Sequence, residues 1–182
     1  MRIVAGKFKS RSLASPKGQL TRPTTDRVRE SLFNMVHSLG GLHEKRVLDL
    51  FAGTGALGLE ALSRGASTVT FVEKNPKVFQ YARQNAETLG VQSQCSFLTA
   101  DAIAFLKRPS RIGFDYIFAD PPYELEGMDL LPERAQEHLS DSGIFILEHD
   151  KRIFFDEHPR LITSRKYGRT IVSIFGGVEH GK

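Results

Sequence analysis

The sequence predicts an α/β fold built on one mostly parallel sheet of about seven strands, with helices on both of its faces. From Arg46 onward, strand-like segments alternate with segments of helical periodicity, the order that gives a parallel sheet. A glycine-rich stretch with G-x-G-x-x-G spacing separates the first of these strands from the helix after it. Near the carboxyl end, two strand patterns flank a short turn, which favours an antiparallel hairpin.

Length and composition limit the class of protein. The 182 residues carry 25 Lys plus Arg against 21 Asp plus Glu, a net charge of +4, and 40% of them are hydrophobic. These values are typical of one globular domain and argue against a two-domain enzyme or a disordered chain. The single cysteine, Cys95, cannot form an internal disulfide, and neither a membrane span, a signal peptide nor a zinc site is visible. We therefore expect a cytoplasmic protein without a metal.

The first 45 residues follow a different pattern from the rest. Extended segments at residues 2–5 and 11–14 predict a small hairpin. An apolar stripe at helical spacing then runs from Val28 to Leu39, after possible caps at residues 24–26, and ends at two glycines. This stripe predicts an amphipathic helix.

The remaining elements follow from short apolar runs and from apolar residues at helical spacing. We expect parallel strands at residues 46–50, 68–73, 95–98, 114–119 and 144–148, and hairpin strands at 161–165 and 170–175. We expect helices at residues 56–63, 76–89, 102–106 and 128–139. The division of the chain is then a basic hairpin extension over residues 1–20 and one domain over residues 21–182.

Positive charge is concentrated at the amino end. Residues 1–30 hold eight basic and two acidic groups, a local balance of +6, whereas the other 152 residues balance at −2. Such a cluster favours binding to a polyanion such as nucleic acid, although a solvated basic tail would look the same. Phe8, within this cluster, could touch RNA or pack in a small core of its own. The candidate substrate-binding residues here are Lys7, Lys9, Arg11, Arg22 and Arg27.

The glycine motif predicts a nucleotide-type cofactor. Gly53, Gly55 and Gly58 allow a ligand to approach the backbone and a helix amino terminus, and alone they fit a dinucleotide or S-adenosylmethionine. Glu73, twenty residues after Gly53, is placed to accept hydrogen bonds from a ribose diol. Asp49 lies just before the glycine turn, where its charge would repel a pyrophosphate and attract the ammonium of a methionine group. Asp49 thus favours S-adenosylmethionine.

Two further acidic positions follow the ends of strands. Asp101 could accept the amino group of an adenine, or could equally cap the helix that begins after it. The sequence DPPY, residues 120–123, follows the fourth strand, and its two prolines stiffen a loop at the edge where open α/β sheets bind ligands. We interpret this loop as the reactive part of the site.

Three segments together resemble a known family. RPTTDRVRESLFN (residues 22–34), DLFAGTGALGLEALSRGA (residues 49–66) and DPPY resemble the bacterial 16S ribosomal RNA guanine-N2 methyltransferases, members of the class I S-adenosylmethionine-dependent methyltransferases. The resemblance implies a Rossmann-like fold with a basic amino-terminal hairpin, S-adenosyl-L-methionine as cofactor, and 16S ribosomal RNA or a small-subunit precursor as partner. It also leads us to expect a monomer.

The resemblance further implies a set of site residues. The base would be received, and its amine activated, by Asp120, Pro121, Pro122 and Tyr123, with the Tyr123 ring available for stacking. The RPTT segment would lie on the cofactor side, which adds Thr25 and Arg27 as secondary candidates. The cofactor would be held by Thr24, Asp49, Phe51, Ala52, Gly53, Gly55, Glu73, Lys74, Asp101, Ala102 and Asp120.

The identity of the base is predicted from hydrogen-bonding chemistry. Guanine presents two neighbouring donors, N1–H and the N2 amine, which the acceptor-only carboxylate of Asp120 can engage together, whereas adenine pairs a donor with an acceptor. Guanine N2 is therefore preferred over adenine N6. Two other classes stay open: an NAD-dependent oxidoreductase that uses the same glycines, and a non-catalytic RNA-binding assembly factor with this fold.

Overall fold

The computed structural model of the chain describes residues 1–16, 26–109 and 113–177. Within these residues the helices are α1 (Asp26–Ser38), α2 (Ala56–Ser63), α3 (Pro76–Leu89), α4 (Ala102–Leu106) and α5 (Leu131–Gln136). The strands are β1 (Arg46–Leu50), β2 (Thr68–Glu73), β3 (Cys95–Thr99), β4 (Phe114–Ala119), β5 (Leu139–Asp150), β6 (Leu161–Tyr167) and β7 (Thr170–Gly176).

The seven strands form one sheet in the order β3-β2-β1-β4-β5-β7-β6. The first five strands in that order are parallel, and β7 runs antiparallel to both β5 and β6. The predicted seven-stranded, mostly parallel sheet with an antiparallel carboxyl-terminal hairpin is therefore confirmed. Chain order reverses between β1 and β4, and the carboxyl edge of the sheet at such a switch point is where open α/β sheets bind ligands.

Local signals explain why several elements begin and end where they do. The Asn75 side chain caps α3 by accepting hydrogen bonds from the backbone N–H groups of Lys77 and Val78, and Pro76 occupies the first turn. Gly90 ends the helix in the left-handed region, at φ 70°. These boundaries are those predicted for this helix.

The central strands are buried on both faces, as parallel strands covered by helices must be. On one face, residues of α1, α2 and α3 pack against the sheet around Phe33, Phe71 and Phe118. On the other face, α4 and α5 pack around Ile117 and Phe145. Burial of both faces leaves the strand ends as the places where polar side chains meet solvent.

One predicted helix is wrong in its extent. The apolar spacing of residues 128–139 suggested a continuous helix, but a 3₁₀ turn over Met128–Leu130 leads into α5, which ends at Gln136. Leu139 instead begins β5, where it pairs with Phe114 across a register shift. The strand expected at residues 144–148 is accordingly longer, because the first residues of β4 also need a hydrogen-bonding partner.

The amino-terminal hairpin is present as a single antiparallel bridge between Arg2 and Ser12 rather than as regular strands. Its backbone is attached to α2: the buried carboxylate of Glu60 accepts hydrogen bonds from the N–H groups of Val4 (2.7 Å) and Ala5 (3.0 Å). Ile3 and Leu13 are buried in the main core. The segment is thus packed against the domain along its backbone.

Among the described residues, none of the helices combines the length and apolar character needed to cross a bilayer.

Candidate active site

A cleft of 320 Å³ opens at the carboxyl edge of the sheet, beside the switch point between β1 and β4. It brings together residues from the ends of four strand-loop connections. Its walls include Phe51, Val72, Glu73, Lys74, Asn75, Val78, Ala100, Ala102, Asp120 and Pro122. Six residues predicted for the site, from segments up to 71 positions apart, therefore line one cavity.

The glycine loop approaches this cleft through unusual backbone conformations. Phe51 has φ 56° although it is not glycine, and Gly53 and Gly55 have φ 55° and φ 79°. Non-glycine residues at positive φ are uncommon and cluster at ligand sites. Gly58 serves packing instead, because a Cβ there would come within 2.4 Å of the Phe71 ring. Gly53 and Gly55 thus shape the loop, whereas Gly58 allows α2 to pack closely on β2.

Glu73 holds the loop in place with its own carboxylate. Oε2 accepts a hydrogen bond from the Gly53 N–H at 3.0 Å, and Oε1 accepts one from the Asn75 N–H at 2.8 Å. Each carboxylate oxygen has a further lone pair. The carboxylate predicted to bind a ribose is therefore oriented by two backbone donors, and it lines the cleft.

Asp49 lies behind the glycine loop rather than in the open part of the cleft. It is 1% exposed, and its Oδ2 accepts a hydrogen bond from the N–H of Gly58, in the first turn of α2, at 2.9 Å. The pKa of Asp49 is raised to about 7: burial raises it most, the Gly58 hydrogen bond lowers it, and the negative charges of Asp120 and Glu73 contribute to the rise. Its predicted attraction for an ammonium group therefore depends on pH near neutrality.

Asp101 acts as a helix cap. Its Oδ1 accepts a hydrogen bond from the Ala104 N–H at 2.9 Å and starts α4. This confirms the capping interpretation, while a contact with adenine stays a prediction. Ala102, the next residue, is buried and lines the cleft, and Ala52 is also buried, with its N–H bonded to the carbonyl of Val72.

The DPPY loop forms the opposite wall. Asp120 is half-buried and Pro121 is buried, whereas Pro122 is exposed and its carbonyl accepts a hydrogen bond from the Leu125 N–H at 2.9 Å. The Tyr123 hydroxyl lies 3.0 Å from Oγ1 of Thr170, the first residue of β7. The tyrosine ring is thereby fixed between the DPPY loop and the β6–β7 turn, a contact that the sequence did not predict.

The predicted substrate-binding cations divide by position. Lys7, Lys9 and Arg11 are exposed on the amino-terminal hairpin, and Arg27 is exposed on α1. Phe8 packs partly against the main core, beneath Lys7, whose ammonium lies 5.4 Å from its ring centre. Arg22, Thr24 and Thr25 lie outside the described residues and stay predictions.

The hairpin and the glycine loop share a side chain. Asn85, on α3, accepts a hydrogen bond from the Ala14 N–H at 2.7 Å and donates to the carbonyls of Ala14 and Thr54, both at 3.1 Å. Thr54 belongs to the glycine motif. The end of the hairpin is therefore anchored beside the cofactor side of the cleft.

Sequence reasoning missed Arg29, which is 2% exposed on α1 and donates to the carbonyl of Arg2 and to Asp26, each at 3.0 Å. Desolvation lowers its pKa, and neighbouring carboxylates partly offset that effect. The signal was available: Arg29 shares helical spacing with the buried Leu32, Phe33 and Val36. A cationic residue at a position that faces the apolar core indicates that its charge is paired inside the protein.

Within the ranges that the structure describes, no group of three or more His, Cys, Asp or Glu side chains is placed to hold a metal ion.

Comparison with known proteins identifies the family. The model of a family described as "Conserved hypothetical protein 95" matches residues 1–176. Ribosomal RNA small subunit methyltransferase D of Haemophilus influenzae is 41% identical over 92% of this chain and 89% of its own length. YlbH of Bacillus subtilis, described as a candidate rRNA methyltransferase, is 39% identical over 96% of this chain and 98% of its own length.

The fold agrees with this relationship. A solved Escherichia coli protein described as a candidate methyltransferase, YhhF, superposes with a TM-score of 0.83 at 29% identity and covers 97% of each chain. The predicted Rossmann-like class I methyltransferase fold is confirmed. The chain belongs to the family of conserved hypothetical protein 95, which is that of the ribosomal RNA small subunit methyltransferase D proteins.

Proposed function

We propose that this chain transfers a methyl group from S-adenosyl-L-methionine to the exocyclic N2 amine of a guanine in small-subunit ribosomal RNA. The observation that carries the proposal is that Asp120 and Pro122 of DPPY share one cleft with Glu73 and with Phe51, at the start of the glycine loop. A cofactor-binding wall and a loop suited to an amino group therefore face the same space. The family relationship supports RNA as the substrate, because relatives of nearly equal length are named for ribosomal RNA.

The donor groups in the cleft fit S-adenosylmethionine. Glu73 offers a carboxylate for the ribose diol, and Phe51 and Ala102 offer apolar surface for the adenine. Asp49 and the Gly53–Gly55 backbone would hold the methionine end, and Asp101 with Lys74 would border the adenine and ribose. A pyrophosphate would instead meet three carboxylates near the loop, namely Asp49, Glu73 and Asp120; the charges of Glu73 and Asp120 add to the effect of burial in raising the pKa of Asp49. This acidic surrounding disfavours the oxidoreductase alternative.

When bound, S-adenosylmethionine supplies an electrophilic methyl group on a sulfonium sulfur. The protein's task is then to position a poor nucleophile, since the lone pair of an exocyclic amine is delocalised into its ring. Correct positioning of reacting groups can supply about 7 to 11 kcal/mol of barrier reduction. The rigid Asp120–Pro121–Pro122 backbone would direct the amine, with the Pro121 carbonyl and the Asp120 carboxylate accepting its two N–H groups.

Proton balance assigns a second role to Asp120. As the N–C bond forms and the C–S bond breaks, the amine gains positive charge and must release one proton. Asp120 is within the cleft and half-buried, so its carboxylate can accept that proton and pass it to water. Tyr123, fixed by Thr170, would stack on the ring of the flipped base.

The RNA substrate, the location and the oligomeric state are further parts of this proposal. The exposed cations of the amino-terminal hairpin support contact with the phosphate backbone of RNA in a small-subunit precursor. We propose the cytoplasm as the location of the reaction, since ribosomal RNA would be the substrate. We propose a monomer as the active form.

The test is the identity of the methylated nucleoside. The protein would be incubated with isotope-labelled S-adenosylmethionine and unmodified small ribosomal subunits or their naked RNA, followed by digestion and mass spectrometry. We expect label in N2-methylguanosine. Label in N6-methyladenosine would reject the guanine assignment, and binding of RNA without any transfer would favour the non-catalytic alternative.

A further inference from the structure

A second cleft, of 640 Å³, lies next to the candidate active site and has no part in the function proposed above. It is bounded by the segment that follows β5 and by the outer strands β6 and β7. One acidic residue, Asp156, lines it, beside Lys151, Arg152, Phe154, Lys166 and Ile171. We refer to the last five residues as the basic platform.

The platform exposes an aromatic side chain. Phe154 is 74% exposed, the highest value among the large apolar side chains of the described residues. Its neighbour Phe155 is 7% exposed and makes edge contacts with the rings of His149 and Phe175, at 5.0 and 5.2 Å between centres. Because Phe155 already anchors the segment to the core, packing of the segment does not account for an aromatic residue at position 154.

The platform lies in a stretch of the chain with net positive charge. Residues 151–170 hold six basic and two acidic groups, a balance of +4, whereas residues 31–150 hold ten basic and sixteen acidic groups, a balance of −6. Lys151 and Lys166 are both exposed. Arg152 is paired with Asp150 at 2.8 Å but keeps 68% of its side chain exposed. Exposed cations around an exposed aromatic ring are the combination that binds single-stranded nucleic acid.

The platform meets the wall that would receive the target base at the start of β7. Tyr123 contacts Thr170, and the next residue along β7, Ile171, lines the platform from the other face of the strand, because neighbouring side chains of a strand point to opposite faces. On the other side of Thr170, the Arg169 carbonyl accepts a hydrogen bond from the Lys151 N–H at 3.2 Å. An RNA strand with its base at Tyr123 would therefore have the platform beside it.

We infer that the basic platform binds an unpaired nucleotide next to the methylated one, with its base on Phe154 and its phosphates between Lys151 and Lys166. This inference rests on the proposed function. It adds a binding site for the part of the RNA strand that leaves the active site. A protein partner is disfavoured because an isolated exposed ring surrounded by cations offers little apolar area.

The test compares variants for binding of a short single-stranded oligoribonucleotide, measured by fluorescence anisotropy with S-adenosylhomocysteine present. Phe154→Ala should weaken binding roughly 5- to 100-fold, the loss expected for one base stack, and Phe154→Tyr should restore it. Lys151→Ala combined with Lys166→Ala should lower the slope of log K against log salt by about 1.4.

Matched controls come from the opposite edge of the sheet. Leu98 on β3 is 41% exposed, and Lys107 at the end of α4 is exposed, so Leu98→Ala and Lys107→Ala remove similar surface far from the platform. Both should bind RNA as the wild type does. Cofactor affinity and thermal unfolding should be unchanged in all variants, which separates lost contact from misfolding.

The outcomes separate the two proposals. If the wild type methylates RNA and Phe154→Ala binds within twofold of it, or if Leu98→Ala loses as much affinity, the platform inference is overturned and the methyl transfer stands. If the wild type binds RNA through Phe154 but transfers no methyl group, the proposed activity fails and the platform stands. A self-association lost in Phe154→Ala with RNA affinity unchanged would assign the surface to a second copy instead.

Discussion

The two walls of the active-site cleft are built in different ways. On the cofactor wall, Glu73, Asp49 and Asp101 each accept a hydrogen bond from a backbone N–H two to nine positions later in the chain, and Glu73 accepts a second one from Gly53, 20 positions earlier. On the base wall, Tyr123 depends on a contact with Thr170, 47 positions later in the chain. The cofactor wall is therefore fixed mainly by local hydrogen bonds, whereas the position of Tyr123 in the base wall depends on the carboxyl-terminal hairpin.

The contrast between the walls indicates which part of such a site can be predicted from a sequence. Residues that are fixed locally leave motifs with constant spacing, and these residues were predicted. Tyr123 was also predicted, as part of DPPY, but its long-range contact with Thr170 leaves no such motif. If the comparison is right, substitutions on the two walls should separate cofactor binding from RNA binding and methyl transfer.

The largest effect is expected for Asp120→Ala. Loss of its proton-accepting carboxylate should reduce the single-turnover rate of methyl transfer by roughly 10²- to 10⁴-fold, because general-base catalysis contributes that much. Cofactor affinity, measured by calorimetry, should change by only a few-fold. Asp141→Ala removes an exposed carboxylate at the opposite end of the sheet and should leave both quantities unchanged. If Asp120→Ala lost cofactor affinity in proportion to its loss of methyl-transfer rate, the two walls would have to act as one binding site.

A smaller effect, on the other wall, is expected for Glu73→Gln. Replacing one acceptor oxygen with a donor amide disturbs either the Gly53 or the Asn75 hydrogen bond and weakens the contact with the ribose. S-adenosylmethionine affinity should fall roughly 10- to 100-fold, while RNA affinity is retained. Glu87→Gln, on the exposed face of α3, is the control. Unchanged cofactor affinity would remove Glu73 from the site.

Substitutions in the amino-terminal hairpin should weaken RNA binding, with less effect on the rate of methyl transfer. Because its backbone is bonded to Glu60 and Asn85, deleting it would damage the domain. Substitution of Lys7, Lys9 and Arg11 by alanine removes only exposed cations. RNA affinity should fall about tenfold at low salt, and the slope of log K against log salt should drop by about 2. A salt slope equal to that of the wild type would show these side chains to be a solvated surface.

The smallest effect concerns Asp49 and pH. Its pKa in the folded state is raised to about 7 from 3.8, so between these values the folded chain keeps a proton that the unfolded chain has released. The free energy of unfolding should therefore fall as pH rises through that window, by at most about 1.4 kcal/mol per pH unit from this group. Urea unfolding of Asp49→Asn at pH 5 and pH 7 should show a shallower dependence than the wild type. Identical slopes in the two proteins would mean that Asp49 is ionised throughout.

Much of the fold was predictable because the parallel strands and their helices carry periodic patterns. The bounds of β1, β2, β4, α2, α3 and α4 match the prediction. The error at α5 arose because Leu139 continues a helical spacing while belonging to the bulged start of β5, and only its pairing with Phe114 decides between them. The basic platform was missed because charge was summed over the last 152 residues together. In that sum, the net charge of −6 in residues 31–150 outweighs the net charge of +4 in residues 151–170.

The hairpin shows the same limit. Its cations were recognised, but its attachment was not, since Glu60 lies 55 and 56 positions from the amides it binds. Within α2 that residue resembles an ordinary helical glutamate with Arg64 one turn later. Nothing in the local pattern distinguishes a buried anchor from a surface ion pair.

The most direct test of the account is a crystal structure of this chain with S-adenosylhomocysteine. We predict its ribose hydroxyls on the Glu73 carboxylate, its amino group on the Asp49 side of the glycine loop, and its sulfur facing Asp120 and Pro121. A ligand that occupies the cleft with its sulfur turned away from the DPPY loop, or a cleft that stays empty at saturating ligand, would contradict it.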